Sequence, residues 1–319
     1  MLIGISAALA ARPPGPPGDG PGAPIYAHDV AVTRHGRGGE RLWLYTPVDP
    51  VPPEAPVVVY LHGFGRRRPE RYHPLLVHLA RRGYAVVFPA QGGPLSVRRY
   101  PDHTRVAVAS ALQVLSSPDH PDPGALALVG HSLGGLLALE LAAAPQRAPA
   151  LPEPAAVILH DPAGTRFVDW HEAASELVDP LALLVLTVPA TLASDNGATR
   201  PVWAETQALQ RRALLAIRSD LHGSPPLISD HLGVQSGDAL LGPDRPLDAI
   251  DWWGYWRPTE AALQETLLHQ IPAMGSVFCA CDGVLDRGRW SDGTPVIPLE
   301  PVQPDPPGAL DSTPSAPLR

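Results

Sequence analysis

The chain has 319 residues, a formal net charge of −8, and a composition that is 45% hydrophobic and 18% charged. This length suits one large domain, although length alone would also allow two. The arginines are scattered rather than gathered in a stripe, which argues against a nucleic-acid-binding surface. No run approaches the roughly 20 apolar residues of a spanning helix, so we expect no integral membrane insertion.

The two ends of the chain differ in composition from its middle. Residues 1–24 begin with a short apolar run ending in small residues, similar to the end of a secretory signal but without a basic region before it. Location therefore stays open between cytoplasm and export. Segments of Pro, Gly and Asp bury too little surface to order themselves. We expect residues 1–24 and 300–319 to be disordered and residues 25–299 to form one domain.

The two cysteines, Cys279 and Cys281, are separated by a single residue. This spacing is too tight for an ordinary stabilising disulfide, and no regular set of histidines accompanies it as zinc ligands. We interpret both as small, half-buried side chains. Neither a metal nor an organic cofactor is predicted.

Short apolar strands alternate with helices through the middle of the chain. This alternation predicts an α/β fold, a mostly parallel eight-stranded sheet with helices on both faces. The first two strands surround a Gly-rich turn and are predicted to form an antiparallel hairpin. The predicted strands span residues 26–34, 41–47, 57–61, 85–88, 125–129, 156–159, 181–188 and 213–217. The predicted helices span residues 70–82, 103–115, 133–144 and 202–210.

A Gly-His-Ser-Leu-Gly turn at residues 130–134 joins a buried strand to an Ala/Leu-rich helix. A nucleophile elbow needs this context, because its serine sits on a sharp, strained turn at the carboxyl edge of the sheet. The glycines remove side chains that would collide across the turn. The helix N-terminus directs backbone N–H groups at the reaction site. We predict that Ser132 is a catalytic nucleophile.

A second motif, His-Gly-Phe-Gly at residues 62–65, follows the third predicted strand. In a serine hydrolase with this strand order, the loop here donates one backbone N–H to the developing oxyanion. The other donor is the residue after the serine. Position therefore predicts the backbone N–H groups of Phe64 and Leu133 as an oxyanion hole.

A serine nucleophile needs a base and an orienting acid, which follow it in the order acid, then histidine. Asp195 lies in the loop after the strand at 181–188 and is the first choice of acid. Asp161, at the end of the preceding strand, is the alternative. His222 comes directly after the last predicted strand and is the first choice of base, with His231, nine residues later, as the alternative.

From about residue 26 to residue 299 the sequence resembles bacterial α/β-hydrolases related to chlorophyllases and cutinase-like polyesterases. The resemblance is carried by residues 61–64, 129–135 and 219–227, and by two segments shared with a poorly characterised bacterial branch, 251–256 and 290–296. It implies an esterase-like serine hydrolase with a catalytic triad and a small-molecule ester as substrate. An acyltransferase using the same triad and an inactive binding protein of the same fold are the alternatives. The substrate and the oligomeric state stay open.

Overall fold

A computed structural model of the protein describes residues 10–164, 168, 170–237 and 245–303. The signal-like start of the chain, at residues 1–9, and most of its tail, residues 304–319, lie outside the described residues. The described chain contains nine strands, β1 to β9. They span Asp29–His35, Leu42–Val48, Glu54–Leu61, Ala85–Pro89, Asp122–His131, Pro154–His160, Ala182–Thr187, Arg212–Ala216 and Glu300–Pro301.

These strands form one sheet in the order β1-β2-β4-β3-β5-β6-β7-β8-β9. Strands β3 to β8 are mutually parallel, while β1, β2 and β9 pair antiparallel with their neighbours. The predicted α/β fold with a mostly parallel sheet and an antiparallel start is confirmed. The ninth strand was not predicted, because two residues carry no periodic pattern and β9 exists only through its pairing with β8.

The helices α1 to α8 cover both faces of the sheet. They span His73–Arg81, Tyr100–Leu115, Leu133–Ala143, His171–Glu176, Pro189–Leu192, Thr199–Glu205, Arg257–Leu267 and Asp282–Leu285. A π-helix at Ile250–Trp256 leads directly into α7. In the described part of the chain, no helix combines the length and apolar character needed to cross a membrane.

The core consists of two apolar layers separated by the sheet. Successive side chains of a strand point to opposite faces. Val58 and Tyr60 of β3 therefore belong to the layer under α1 and α7, and Val57 and Val59 belong to the layer under α2 and α3. Both sets are fully buried. This double burial explains why the central strands are continuous apolar runs rather than alternating ones.

The described part of the N-terminal segment, residues 10–24, packs on the domain instead of remaining disordered as expected. The backbone N–H of Gly22 donates to Glu260 Oε2 at 2.7 Å. The same buried carboxylate accepts from His78 Nε2 at 3.0 Å and from Arg82 Nε. Burial alone would raise the pKa of Glu260, but these partners outweigh it and lower that pKa. The composition of residues 10–24 predicts disorder only for the isolated segment, because the partners that bind it belong to the domain.

The structure also corrects the interpretation of the two cysteines. Cys279 and Cys281 are joined by a disulfide, with their Cα atoms 5.3 Å apart. Between them Ala280 has a left-handed backbone, with φ 49°. The two side chains would also share one side of an extended Cys-X-Cys segment, but their Cα atoms would then lie about 6.7 Å apart, so the turn shortens the distance that the disulfide spans.

Candidate active site

The turn at Ser132 is built by the end of β5 and the start of α3. Ser132 has φ 55° and ψ −123°, a region that non-glycine residues rarely occupy. A methyl group added at Gly130 would lie 2.3 Å from the carbonyl oxygen of Gly134, and one at Gly134 would lie 2.1 Å from that of Leu61. The Gly-X-Ser-X-Gly pattern is thus required by backbone packing, and the turn holds the half-buried serine at the carboxyl edge of the sheet.

A histidine and an aspartate form a hydrogen-bonded line with this serine. His231 Nε2 lies 2.9 Å from Ser132 Oγ, and His231 Nδ1 lies 2.8 Å from Asp161 Oδ2. A carboxylate only accepts, so Nδ1 carries the proton and Nε2 is left to accept from the serine hydroxyl. This is the tautomer that general-base catalysis requires.

Asp161 follows β6 and is fully buried. Its Oδ1 accepts from Thr187 Oγ1 and from the backbone N–H of Val188, both at 3.0 Å. Its Oδ2 accepts from Thr191 Oγ1 at 2.8 Å in addition to His231. These four hydrogen bonds replace the water that burial removes, and they fix which oxygen faces the histidine. Like Ser132, Asp161 has φ 55°, which aspartate tolerates better than most residues.

The loop after β3 lies against the serine. A methyl group added at Gly63 would lie 3.3 Å from Ser132 Cβ. The carbonyl of Gly63 accepts from the N–H of Arg66 at 3.1 Å. Because the peptide is planar, this bond also sets the direction of the Phe64 N–H, which points the opposite way. Leu133 is the first residue of α3, where backbone N–H groups have no partner within the helix.

Three further histidines, His62, His131 and His160, are buried near Ser132 and His231. Burial lowers the pKa of His62 to about 4 and the pKa values of His131 and His160 to about 3. All three are therefore neutral at pH 7 and add no positive charge beside His231. Among the described residues, no three His, Cys, Asp or Glu side chains are grouped as a metal site.

The structure does not bring the predicted acid Asp195 to the histidine. Helix α5 begins at Pro189, directly after β7, and carries the chain away from the sheet before Asp195 is reached. Asp195 is exposed in the turn between α5 and α6. Thr187 at the end of β7 and Thr191 in α5 contact Asp161 instead, both as donors. The carboxylate in contact with His231 is thus the alternative, Asp161.

The predicted base His222 is also displaced from the serine. His222 Nε2 bonds to Asp292 Oδ2 at 2.8 Å, and both side chains are partly exposed. This hydrogen bond lowers the pKa of Asp292 to about 2. The expected contact of Ser132 is made by the alternative, His231.

The path of the chain after β8 explains this displacement. Asp220 and Leu227 exchange backbone hydrogen bonds of 2.8 Å, which closes residues 220–227 into a protruding loop with His222 near its tip. The side chain of Ser229 then donates to the carbonyl of Ile217 at 2.6 Å. The chain therefore returns to the end of β8 before His231, although His222 is nearer in sequence.

Three contacts of this site were not predicted from the sequence, namely the two threonines that bind Asp161 and the tyrosine Tyr72, which contacts the loop after β3. Thr187 ends a buried strand, and Thr191 follows it by four residues, one helical turn. Two hydroxyls at that spacing next to a strand end are a usable signal for a bound carboxylate. Nothing in the sequence around Tyr72 distinguishes it from an ordinary core tyrosine.

Comparisons with known proteins give one family match and two similar solved structures. No curated protein matches the chain at a significant level. The structure is similar to carboxyl esterase 2 of the mycorrhizal fungus Tuber melanosporum, with a TM-score of 0.47 and 19% identity over 61% of this chain and 76% of that one. It is also similar to a fungal esterase from Rhizomucor miehei, with a TM-score of 0.48 and 16% identity over 59% of this chain and 73% of that one. The sequence pattern of the Alpha/beta hydrolase family matches residues 58–295. The protein therefore belongs to the alpha/beta hydrolase family.

Proposed function

We propose that this hydrolase cleaves carboxylic esters through an acyl-enzyme formed on Ser132. The observation that carries the proposal is the line of two hydrogen bonds, 2.9 Å and 2.8 Å, from Ser132 through His231 to Asp161. A serine hydroxyl becomes an effective nucleophile only when a base accepts its proton. Here the base lies within reach, in the required tautomer, beside a strained turn.

In the first half of the reaction Ser132 Oγ attacks the ester carbonyl while His231 Nε2 takes the hydroxyl proton. The carbonyl oxygen becomes an oxyanion, stabilised by the N–H groups of Phe64 and Leu133 at about 3 kcal/mol per donor. The tetrahedral intermediate collapses to the acyl-enzyme. His231 gives its proton to the leaving alkoxide oxygen, and an alcohol departs.

In the second half water takes the place of the alcohol. His231 accepts a proton from the water as its oxygen attacks the acyl carbonyl, and then returns that proton to Ser132 Oγ as the acid is released. Asp161 stabilises the imidazolium in both halves without itself being protonated. Its four hydrogen-bond donors hold the carboxylate in place throughout.

Labelling with a fluorophosphonate probe and hydrolysis of p-nitrophenyl acetate test this proposal. The wild type is expected to label and to hydrolyse the ester, and Ser132→Ala is expected to lose both. A wild-type protein that neither labels nor releases p-nitrophenol would overturn the proposal.

The base is tested by a matched pair of variants. His222 and His231 each bond to an aspartate at 2.8 Å and are similarly exposed, but His231 alone of the two contacts Ser132. We expect His231→Ala to lower kcat by at least about a thousandfold and His222→Ala to leave kcat within about threefold of wild type. The reverse result would return the role of base to His222.

A further inference from the structure

A buried chain of hydrogen bonds connects the three loops that meet at Ser132. Tyr72 Oη lies 3.1 Å from the backbone nitrogen of Gly63, in the loop after β3. The same oxygen lies 2.8 Å from His131 Nδ1, in the nucleophile turn. His131 Nε2 lies 2.8 Å from the carbonyl oxygen of His231. Gln235, four residues after the base, reaches Tyr72 Oη with Nε2 at 3.3 Å.

Every proton in this chain has a determined place. The carbonyl of His231 can only accept, so His131 carries its proton on Nε2 and accepts on Nδ1. Tyr72 must then donate its hydroxyl proton to His131 and accept from Gly63 and Gln235. One donor and two acceptor sites are the full capacity of a tyrosine hydroxyl. Burial lowers the pKa of His131 to about 3, so the ring is neutral at pH 7 and this hydrogen-bond pattern holds there.

Each backbone group held by this hydrogen-bond chain belongs to a residue of the proposed site or to its neighbour in the sequence. Gly63 precedes Phe64, His131 precedes Ser132, and the carbonyl of His231 belongs to the residue that supplies the base. Tyr72, His131 and Gln235 are all almost completely buried, so water does not compete for these bonds. In addition, the N–H of Ser236 donates to the carbonyl of Arg71 at 3.0 Å. This hydrogen bond connects the loop that follows His231 to the residue before Tyr72.

We propose that Tyr72 and His131 are positioning residues that hold the oxyanion loop, the nucleophile and the base in one geometry. This inference rests on the proposed function and adds to it. Neither side chain forms a hydrogen bond with a reacting atom, although the ring of His131 packs beside the ring of His231, with centroids 5.1 Å apart. Each acts through the backbone that carries a catalytic group, and a displacement of 1 Å at such a group can cost about a hundredfold in rate.

The first test removes only the hydroxyl of Tyr72. Tyr72→Phe leaves Gly63 and Gln235 without an acceptor and His131 Nδ1 without a donor. We expect kcat for p-nitrophenyl acetate to fall tenfold to a hundredfold while KM changes less than twofold, because the substrate contacts remain. The pH at which the rate is half-maximal is expected to stay unchanged, since the base is still His231.

The matched control is Tyr84→Phe. Tyr84 belongs to the same apolar layer and is equally buried, but its hydroxyl has no hydrogen-bond partner among the described residues. The control is expected to keep wild-type kcat. Loss of kcat in both variants would mean that any buried hydroxyl matters, which would overturn the proposal.

The second test uses His131. His131→Phe removes both bonds, whereas His131→Gln retains an acceptor and a donor on one side chain and is expected to recover part of the lost kcat. Because both single variants break the bond between Tyr72 and His131, the Tyr72→Phe/His131→Phe double variant is expected to lose less kcat than the product of the two single losses.

The outcomes separate this inference from the proposed function. If the wild type hydrolyses the ester in a Ser132-dependent way and Tyr72→Phe retains kcat within threefold, the positioning role is wrong and the esterase stands. Fully multiplicative losses in the double variant, or a shifted pH midpoint in Tyr72→Phe, would also overturn the positioning role. An inactive wild type would remove the esterase itself.

Discussion

Replacing Asp161 with asparagine tests whether this carboxylate determines the tautomer of His231. An asparagine has one acceptor oxygen where the aspartate has two. Oδ1 of Asp161 accepts from Thr187 Oγ1 and the Val188 N–H, both at 3.0 Å. If the amide nitrogen took that position, it would face a backbone donor that cannot rotate away. The amide oxygen is therefore expected at Oδ1, with the amide nitrogen at Oδ2.

In that orientation the amide nitrogen faces His231 Nδ1 at the 2.8 Å position now held by Oδ2. It donates to Nδ1, so the histidine proton moves to Nε2, the atom that has to accept from Ser132. The base is then in the wrong tautomer and its charged form lacks a counter-ion. We expect kcat to fall about 10⁴-fold, which corresponds to about 5.4 kcal/mol of transition-state stabilisation.

The assay is p-nitrophenyl acetate hydrolysis at saturating substrate, with fluorophosphonate labelling rate as a second readout. Asp195→Asn is the matched control, because that aspartate is exposed in the turn between α5 and α6. It is expected to retain wild-type kcat. An Asp161→Asn enzyme within tenfold of wild type, or an Asp195→Asn enzyme with the larger loss, would refute this reasoning.

Three further predictions concern stability. Gly134→Ala would put a methyl group 2.1 Å from the carbonyl oxygen of Leu61, so we expect a loss of about 3 kcal/mol or more in the free energy of unfolding together with loss of probe labelling. Burial raises the pKa of Asp251 to about 7, so the native state binds an extra proton between about pH 4 and pH 7 and loses stability as the pH rises. Asp251→Asn should therefore add about 2 kcal/mol at pH 8, and this gain should shrink as the pH is lowered to 4. Glu260→Gln should cost about 3 kcal/mol at pH 7 by leaving the Arg82 guanidinium without its carboxylate partner, and the cost should shrink as acid protonates the wild-type carboxylate through its lowered pKa.

Urea denaturation followed by tryptophan fluorescence measures all three, with Gly18→Ala as the control for the glycine variant, because a methyl group there meets nothing within 4 Å. A stable, labelled Gly134→Ala protein would contradict the account of the turn. An Asp251→Asn effect that is the same at pH 4 and pH 8, or a Glu260→Gln cost that grows in acid, would contradict the sign of the corresponding pKa shift.

The parts of this protein that sequence predicts well are those with local causes. The eight longer strands follow from apolar runs between turn residues, and the confirmed fold follows from their alternation with helices. The turn at Ser132 lies where a strand, two glycines and a helix predict it, because these are consecutive in the sequence and the clash that requires Gly130 involves the carbonyl of Gly134, four residues later. The segment at residues 10–24 shows the limit, since its composition predicts disorder and its partners, such as Glu260, lie more than two hundred positions later.

The choice between two acids and between two histidines was decided by tertiary structure alone. Sequence order favours Asp195, in the loop after the strand at 181–188, and His222, which directly follows the last predicted strand. However, Pro189 starts a helix that removes Asp195, and the side chain of Asp220 accepts from Trp290 and Ile297, which anchors the loop that carries His222 outward. Trp290 and Ile297 lie about seventy residues from Asp220, so no periodicity or spacing near the loop predicts these hydrogen bonds. The amino-acid sequence by itself determined the kind of site and the position of its serine, whereas the long-range hydrogen bonds determined which carboxylate and which imidazole reach it.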